Sequence, residues 1–269
     1  MTMVEIHRGS SPVVLAFPHT GTEVPEDIAA RLNDEGRVLR DTDWHIHRLY
    51  DGLLKDATTV RATFHRYCID ANRDPSGESL YPGQNTTGLV PVTTFDDVPI
   101  WRDGSEPSED DIAERVERFH RPYHEALRAE IERVRGAHGI AILYDCHSIR
   151  SQIPHLFEGV LPDFNIGTDN GRTCDPAIER AVAETCAGAD GYTSVLNGRF
   201  RGGWTTRHYG EPGTGVHAIQ MELAQVTHLA RETPPFDLDP VRTERLRPVL
   251  KTLLSQIEAL APSLSEAPR

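Results

Sequence analysis

The sequence has no apolar run near the roughly 18 residues that a membrane-spanning helix requires. It also begins without the apolar segment that characterises a secretory signal. These two absences argue against insertion into a membrane and against export. We therefore expect a soluble protein of the cytoplasm.

Positive charge is scarce and scattered. The chain of 269 residues carries a net charge of −13, and Lys55 and Lys251 are its only lysines. Its arginines do not form a cluster of the kind that binds nucleic acid or anionic membranes, so we expect neither as a partner. A small anionic substrate would need a few arginines around one pocket, against the negative field of the whole protein.

Cysteine is also sparse, and no two cysteines form a Cys-x-x-Cys pair. This excludes a zinc knuckle of that type and a thioredoxin-like redox motif. Free thiols are typical of a reducing compartment, in agreement with the cytoplasm. The sequence also has no Gly-x-Ser-x-Gly nucleophile elbow and no P-loop. Any chemistry must therefore come from other residues.

Segments typical of strands alternate with segments typical of helices along the chain. Apolar or alternating runs predict strands at residues 13–17, 58–64, 67–69, 141–147, 192–196 and 216–223. Helical periodicity predicts helices at about 26–33, 44–54, 108–135, 175–186 and 239–260. A capping box at Ser108 and Asp111 opens the third of these, and Pro122 should kink it.

This alternation predicts an α/β fold in which helices cover both faces of a mostly parallel sheet. No linker divides the chain. We therefore expect a single catalytic domain over residues 1–261. A disordered tail is expected at residues 262–269.

Two of the predicted strands run into a histidine at their carboxyl ends. Residues 13–17 lead to His19, and the apolar run from Ala141 leads to His147. Ligands of α/β proteins bind outside the carboxyl ends of sheet strands, so we expect the two histidines to share one site. Two histidines and a carboxylate are typical of catalytic zinc. The alternative interpretation is a pair of ordinary histidines at strand ends.

The carboxylate of this site has three candidates. Asp43 begins a predicted helix, where its side chain would face the carboxyl edge of the sheet, and it is the first choice. Asp41 and Glu23 are its rivals, and a simple helix cap is the alternative role of Asp43. We expect one Zn²⁺ ion, or another divalent transition metal, bound to Asp43 and the two histidines.

Asn72 and Arg73 are the first candidates for binding an anionic substrate. They follow the predicted strand at residues 67–69. Together they offer an amide donor and a bidentate guanidinium group, which suit a carboxylate. The alternative is that Arg73 pairs with a neighbouring aspartate and only fastens the loop.

Two long loops are further candidates. The glycine-punctuated loop at residues 197–215 carries Arg199, Arg201 and Arg207, which suits an anion-binding lid. The segment at residues 74–107 is too long and too irregular for a simple connection, so we expect a functional loop. The alternative for the first loop is an ordinary mobile surface segment.

Glu222 is an acid within an otherwise apolar predicted strand. Acids are seldom buried unless they are paired or functional, so beside a metal Glu222 would act as a general base. The alternative is an acid on the outer face of the strand. Cys146 directly precedes His147, but neighbours on a strand point to opposite faces, which argues against a Cys–His dyad.

Taken together, these segments resemble the N-formylglutamate amidohydrolase family, also known as N-formylglutamate deformylase. The resemblance extends over about residues 13–225, in segments 17–21, 41–44, 69–74, 145–148, 198–210 and 220–223. It implies hydrolysis of N-formyl-L-glutamate to L-glutamate and formate, a step of histidine degradation. It also implies a three-layer sandwich with a mixed sheet, similar to zinc carboxypeptidases and other phosphorylase/hydrolase-like folds.

The same resemblance implies roles for the candidate residues in chain order. They are metal ligands at His19, Asp43 and His147, substrate-binding residues at Asn72, Arg73, Arg201 and Arg207, and a general base at Glu222. Carboxypeptidases have their acidic ligand three residues after the first histidine, where this chain has Thr22. The choice between Asp43 and Glu23 therefore stays open.

Two other functions are compatible with these residues. One is a related zinc deacylase or carboxypeptidase with a larger acyl substrate. The other is a non-catalytic protein that binds acidic amino acids after loss of the metal site. All three interpretations share a small anionic amino acid as the partner.

Overall fold

The computed structural model, which describes residues 2–78, 83 and 85–265, is built on a seven-stranded sheet. Its strands in chain order are β1 (Val4–His7), β2 (Val13–Phe17), β3 (Thr58–Ala62), β4 (Ala141–Ile149), β5 (Phe164–Gly167), β6 (Ser194–Leu196) and β7 (Val216–Ala224). They lie side by side in the order β1-β3-β2-β4-β7-β5-β6. The four strands β3, β2, β4 and β7 are parallel, whereas β1 and β5 are antiparallel to their neighbours β3 and β7. The mostly parallel mixed sheet predicted from the sequence is confirmed.

The helices in chain order are α1 (Glu26–Ala29), α2 (Asp34–Arg37), α3 (Ile46–Tyr50), α4 (Glu109–Arg115), α5 (Arg121–His138), α6 (Pro176–Ala187), α7 (Trp204–Tyr209) and α8 (Pro240–Ser265). A π-helical turn at Val116–His120 joins α4 to α5, and 3₁₀ turns lie at Pro212–Thr214 and Gln225–Thr227. Within the described residues, no helix combines the length and the apolar character needed to cross a bilayer.

Two apolar cores lie on the two faces of the sheet. On one face, residues such as Leu15 and Ile219 pack in one cluster with α3, α6 and α8. On the other face, Val14 and Leu143 pack in a second cluster with α1 and α5. Every residue of β4 and β7 is buried, as expected for central strands covered on both faces. Helix, sheet and helix therefore form the three layers of the predicted sandwich.

Several short elements differ from the sequence prediction. Residues 67 and 68 lie in a turn and residue 69 is irregular, so the predicted strand at 67–69 is absent; the backbone N–H of Cys68 donates locally to the carbonyl of His65 at 2.8 Å. The strands β1 and β5, four residues each, lie in segments for which we predicted neither a strand nor a helix. Helix α7 lies within the predicted loop at residues 197–215. The elements β1, β5 and α7 are too short to show a clear periodicity.

Proline leaves a different mark on each long helix. Pro122 lies in the first turn of α5, directly after the π turn at Val116–His120, and proline is tolerated at this position. Helix α8 passes Pro248 and Pro262 and ends at Ser265. It therefore enters the segment predicted as a tail, of which residues 266–269 lie outside the described part of the chain.

Candidate active site

Four polar side chains meet at the carboxyl ends of β2, β4 and β7. His19 follows β2, and the register of β4 and β7 sets His147 directly beside Glu222. Asp43 comes from the turn before α3, where its backbone N–H donates to the carbonyl of His19 at 3.0 Å. All four side chains are buried. The sheet edge therefore assembles the predicted metal ligands and the predicted base in one place.

Three of their atoms form a small triangle. The Nδ1 atom of His19 lies 3.2 Å from Nδ1 of His147 and 3.7 Å from Oδ2 of Asp43, and the remaining edge, from His147 to Asp43, is 3.1 Å. Tetrahedral zinc, with bonds of about 2.0–2.1 Å, needs ligand atoms about 3.3 Å apart. The triangle therefore has the size that one zinc ion requires.

The other ring nitrogen of each histidine faces a carboxylate. His19 Nε2 lies 2.7 Å from Asp70 Oδ1, and His147 Nε2 lies 3.1 Å from Asp145 Oδ2. His147 Nδ1 also lies 3.1 Å from Asp43 Oδ2, so both nitrogens of this ring face a carboxylate. With a metal held by the two Nδ1 atoms, each Nε2 would carry the proton and would donate to the carboxylate behind it. Carboxylates behind histidine ligands are usual at metal sites, so this donor set fits a divalent metal.

Arg66 holds the carboxylate of the triangle. Its Nη2 donates to Asp43 Oδ1 at 2.8 Å, and the backbone N–H of Ser148 donates to Asp43 Oδ2 at 3.1 Å. Burial by itself would raise the pKa of Asp43, but the charge of Arg66 and the two histidines hold that pKa below its usual range. Asp43 is therefore ionised and fixed in orientation.

The two rival carboxylates lie elsewhere. Asp41 is buried, but its Oδ2 accepts from the hydroxyl of Tyr67 at 2.8 Å and from the backbone N–H of Phe95 at 2.9 Å. Burial raises the pKa of Asp41 to about 6. Glu23 is exposed, in an isolated bridge with Phe64. Of the three candidates, the structure brings Asp43 together with the histidines.

A cavity opens beside the triangle, with an empty volume of about 620 Å³ that includes its mouth. Arg66 and Arg73, from the irregular segment after β3, and Arg199, from a distant loop, line its wall, and Asn72 and Glu222 also line it. Part of the wall is apolar, with Phe95, Ile149, Leu156 and Phe200. Three arginines around one small cavity provide the local positive field that an anionic substrate needs in an acidic protein.

Asn72 and Arg73 lie on the turn that follows β3 and are fixed by different neighbours. Asn72 Oδ1 accepts from the backbone N–H of Thr205 at 2.8 Å. Arg73 donates to the carbonyl and the hydroxyl of Thr87, at 3.0 and 3.2 Å, and lies 3.7 Å from Asp70. Arg73 therefore both fastens the loop and lines the cavity.

The loop arginines differ in where they point. Arg199 lies on the cavity wall, and it donates to the backbone carbonyls of two neighbouring loops. Arg201 is exposed and donates to a carbonyl of its own loop. Arg207 donates to the carbonyl of Gly202 at 2.9 Å and lies 3.4 Å from Asp169. Helix α7 begins at residue 204 and sets the direction of Arg207. Among the residues that the structure describes, Arg199 is the one of these three arginines that lines the cavity.

The long loop predicted at residues 74–107 also reaches the cavity. It contributes Thr86, Thr87 and Phe95 to the wall. Residues 79–82 and 84 of this loop lie outside the described residues. The described residues of this loop are therefore placed to help enclose a ligand in the cavity.

Glu222 lies beside the triangle, and burial raises its pKa to about 8 against the opposing influence of His147. Its Oε2 accepts from Nε2 of Gln220 at 3.3 Å. A buried acid with a shifted pKa in a cleft is a typical candidate for acid–base chemistry. Cys146 instead lies in the core on the opposite face, where burial raises the pKa of its thiol, so it is unsuited to act as a nucleophile.

The sequence analysis assigned no role behind the metal ligands to three supporting residues, namely Arg66, Asp70 and Asp145. Asp145 had a usable signal, because a residue two positions before His147 on a strand shares its face. Arg66 had none, since it belongs to an irregular segment whose direction depends on the tertiary fold.

Comparison with known sequences gives one consistent family. The profile of the N-formylglutamate amidohydrolase family matches residues 11–229. An N-formylglutamate deformylase of Pseudomonas putida is 45% identical over 259 residues, and one of Pseudomonas aeruginosa is 44% identical over 258 residues. Each match covers 96% of this chain and 96% of the relative.

Comparison with solved structures gives the same fold. A crystal structure of N-formylglutamate amidohydrolase from Ralstonia eutropha JMP134 has a TM-score of 0.80 at 23% identity, and covers 98% of this chain and 99% of that one. A gene product of Agrobacterium tumefaciens has a TM-score of 0.73 at 19% identity, with 97% and 96% coverage. At these identities the two structures show that the architecture is shared.

Proposed function

From the fact that the chain belongs to the N-formylglutamate amidohydrolase family, we propose a metal-dependent hydrolysis of N-formyl-L-glutamate to L-glutamate and formate. The protein is a hydrolase that acts on an amide bond. The observation that carries the metal-dependent mechanism is the buried triangle of His19, Asp43 and His147 at the floor of an arginine-lined cavity. We assign the cytoplasm and histidine degradation as its setting, with support from the four buried free thiols and from the family resemblance.

The three atoms of the triangle would hold the metal, and two imidazoles with one carboxylate are typical ligands of catalytic zinc. When bound, zinc supplies a Lewis acid that polarises a carbonyl group and makes water more acidic. Asp70 and Asp145 would fix the tautomer of each histidine, and Arg66 would fix the carboxylate of Asp43.

Glu222 would move the proton. Its carboxylate takes a proton from the water that attacks the formyl carbon, and returns it to the amine nitrogen as the C–N bond breaks. The products are formate and the free amino group of glutamate. A positive charge within the triangle would lower the pKa of Glu222 from its raised value and would favour the carboxylate form.

The arginines would bind the substrate. Formyl is the smallest acyl group, so recognition must use the two carboxylates of the glutamate part. We assign one carboxylate to Asn72 and Arg73, and the other to Arg199, which lines the cavity where Arg201 and Arg207 do not. Bidentate guanidinium–carboxylate pairing gives both charge and geometry.

Acyl release from N-formyl-, N-acetyl- and N-succinyl-L-glutamate, measured side by side, tests this function. We expect formate release to exceed release of acetate or succinate at equal substrate concentration. Faster turnover of a larger acyl group would favour the related deacylase. Binding of glutamate by a protein that hydrolyses none of the three would favour the non-catalytic alternative.

A further inference from the structure

Two buried histidines outside the site donate hydrogen bonds to the turn that carries Asn72 and Arg73. His124 Nε2 lies 2.8 Å from the carbonyl oxygen of Ala71, and His120 Nε2 lies 3.0 Å from the carbonyl oxygen of Arg73. A carbonyl only accepts, so both contacts are N–H···O hydrogen bonds with the proton on Nε2. The two accepting carbonyls belong to the residues on either side of Asn72.

Both rings are neutral and held in place. Burial lowers the pKa of His120 and lowers the pKa of His124 further. The Nδ1 atom of His124 lies 3.0 Å from the hydroxyl of Tyr209, so each nitrogen of this ring has a partner. His124 also contacts the ring of Trp204 edge-on, with 4.7 Å between ring centroids. The two rings are therefore buried, neutral donors at neutral pH.

The helix is distorted where these histidines lie. His120 ends the π turn at Val116–His120, and His124 follows one turn later in α5, on the same face. A π turn adds a residue to the helical repeat, and such turns occur frequently at functional sites. Phe119 and Tyr123 lie in the core, whereas the neighbouring His120 and His124 contact the turn.

The turn that carries Asn72 and Arg73 connects the proposed metal ligands to the proposed substrate-binding residues. Asp70 Oδ1 accepts from His19 Nε2 at 2.7 Å and from the backbone N–H of Asn72 at 2.8 Å. Asn72 Oδ1 in turn accepts from Thr205 at the start of α7. The turn is therefore held both by these contacts and by the hydrogen bonds from His120 and His124.

We infer that His120 and His124 are positioning residues for the substrate carboxylate. They act through the backbone carbonyls of residues 71 and 73, and thereby set the position of Asn72 and Arg73 relative to the triangle. Neither histidine is among the described residues that line the cavity, so neither touches the substrate. The inference rests on the proposed function, in which Asn72 and Arg73 bind one carboxylate.

His120→Leu and His124→Leu remove the donor, whereas His120→Gln and His124→Gln keep an N–H near the position of Nε2. We expect each leucine variant to lose about tenfold in kcat/KM for N-formyl-L-glutamate, mainly through KM, since a displacement of about 1 Å costs up to about 100-fold. Bound metal should not change, and the glutamine variants should recover most of the loss. His138→Leu, at the exposed end of the same helix, is the matched control and should match wild type.

Asparagine gives a second variant if leucine prevents folding. Its amide is too short to reach the carbonyl, so His120→Asn should also raise KM, in contrast to His120→Gln. An unchanged KM in every folded leucine or asparagine variant, with wild type releasing formate, would overturn this inference alone. Absence of formate release by zinc-loaded wild type would overturn the proposed function, and this inference with it.

A double-mutant cycle locates the effect. If His120 acts through Arg73, then His120→Leu should change kcat/KM far less in an Arg73→Lys background than in wild type. Independent effects that multiply in the double variant would instead show that His120 has a general structural role, and would contradict a positioning role. Thermal unfolding of all four proteins provides the stability of each corner of the cycle.

Discussion

Gly203 is the position at which one added methyl group should disturb the site most. A Cβ atom there would lie 2.2 Å from Nδ2 of Asn72 and 2.6 Å from its Cγ. Carbon and nitrogen atoms need about 3.5 Å, so one of the two must move by about 1 Å. The backbone N–H of Gly203 is held by Gln220 Oε1 at 2.7 Å, so the amide of Asn72 has to give way.

A displacement of about 1 Å in a group that positions the substrate costs up to about 100-fold in rate, or about 2.7 kcal/mol in activation free energy. We therefore expect Gly203→Ala to lower kcat/KM for N-formyl-L-glutamate by about 100-fold. Bound metal should remain, because Asn72 is not a member of the triangle and contacts only the outer nitrogen of His147, at 3.2 Å from Nδ2 to Nε2. Steady-state formate release, metal content and thermal unfolding together measure these quantities.

Gly213→Ala is the control for this substitution. A Cβ at Gly213 meets no atom within 4 Å, so its kinetics should match those of wild type. A folded Gly203→Ala protein with kcat/KM within about threefold of the control would refute the role assigned to Asn72.

Glu222→Gln should keep its metal while kcat falls by about 10²–10⁴-fold, whereas loss of metal would show that Glu222 is a ligand. Arg199→Ala should raise KM for N-formyl-L-glutamate about tenfold or more, because a charged hydrogen bond is lost, and Arg201→Ala should not; equal effects would contradict the assignment of Arg199. The pKa of Glu222 is raised from 4.5 in the unfolded chain to about 8 in the folded protein. Within this pH window, Glu222 is protonated in the folded protein but ionised in the unfolded chain. The free energy of unfolding of chelator-treated protein should therefore fall as pH rises through the window, and Glu222→Gln should remove this part of the pH dependence. Denaturant unfolding at several pH values measures it, and a constant difference between the two proteins would rule out the raised pKa.

The carboxyl edge of the sheet was predictable because burial leaves a simple pattern there. β2, β4 and β7 are covered on both faces, so β2 and the first half of β4 are apolar until the edge is reached, and β7 is mostly apolar apart from His217 and Gln220. The polar residues His19, His147 and Glu222 stand out against that background. The capping box at Ser108 and Asp111 was predictable for a local reason, since both of its hydrogen bonds lie within one helical turn.

Elements fixed by distant contacts were not predictable. Glycines at 202 and 203 indicate a loop, yet α7 begins there because Asn72 and Gln220 accept from the backbone N–H groups of Thr205 and Gly203. Those partners come from other parts of the chain, so the local sequence contains no cap. The same reason explains the arginines of this loop, since their directions depend on α7 and on the neighbouring loops rather than on their spacing.

Formate release by chelator-treated protein, measured as zinc is added back, tests the central claim most directly. The account predicts almost no release from the metal-free protein, and a rise that reaches its plateau at about one ion per chain, as one triangle of ligands requires. Undiminished formate release from protein shown to be free of metal would contradict it.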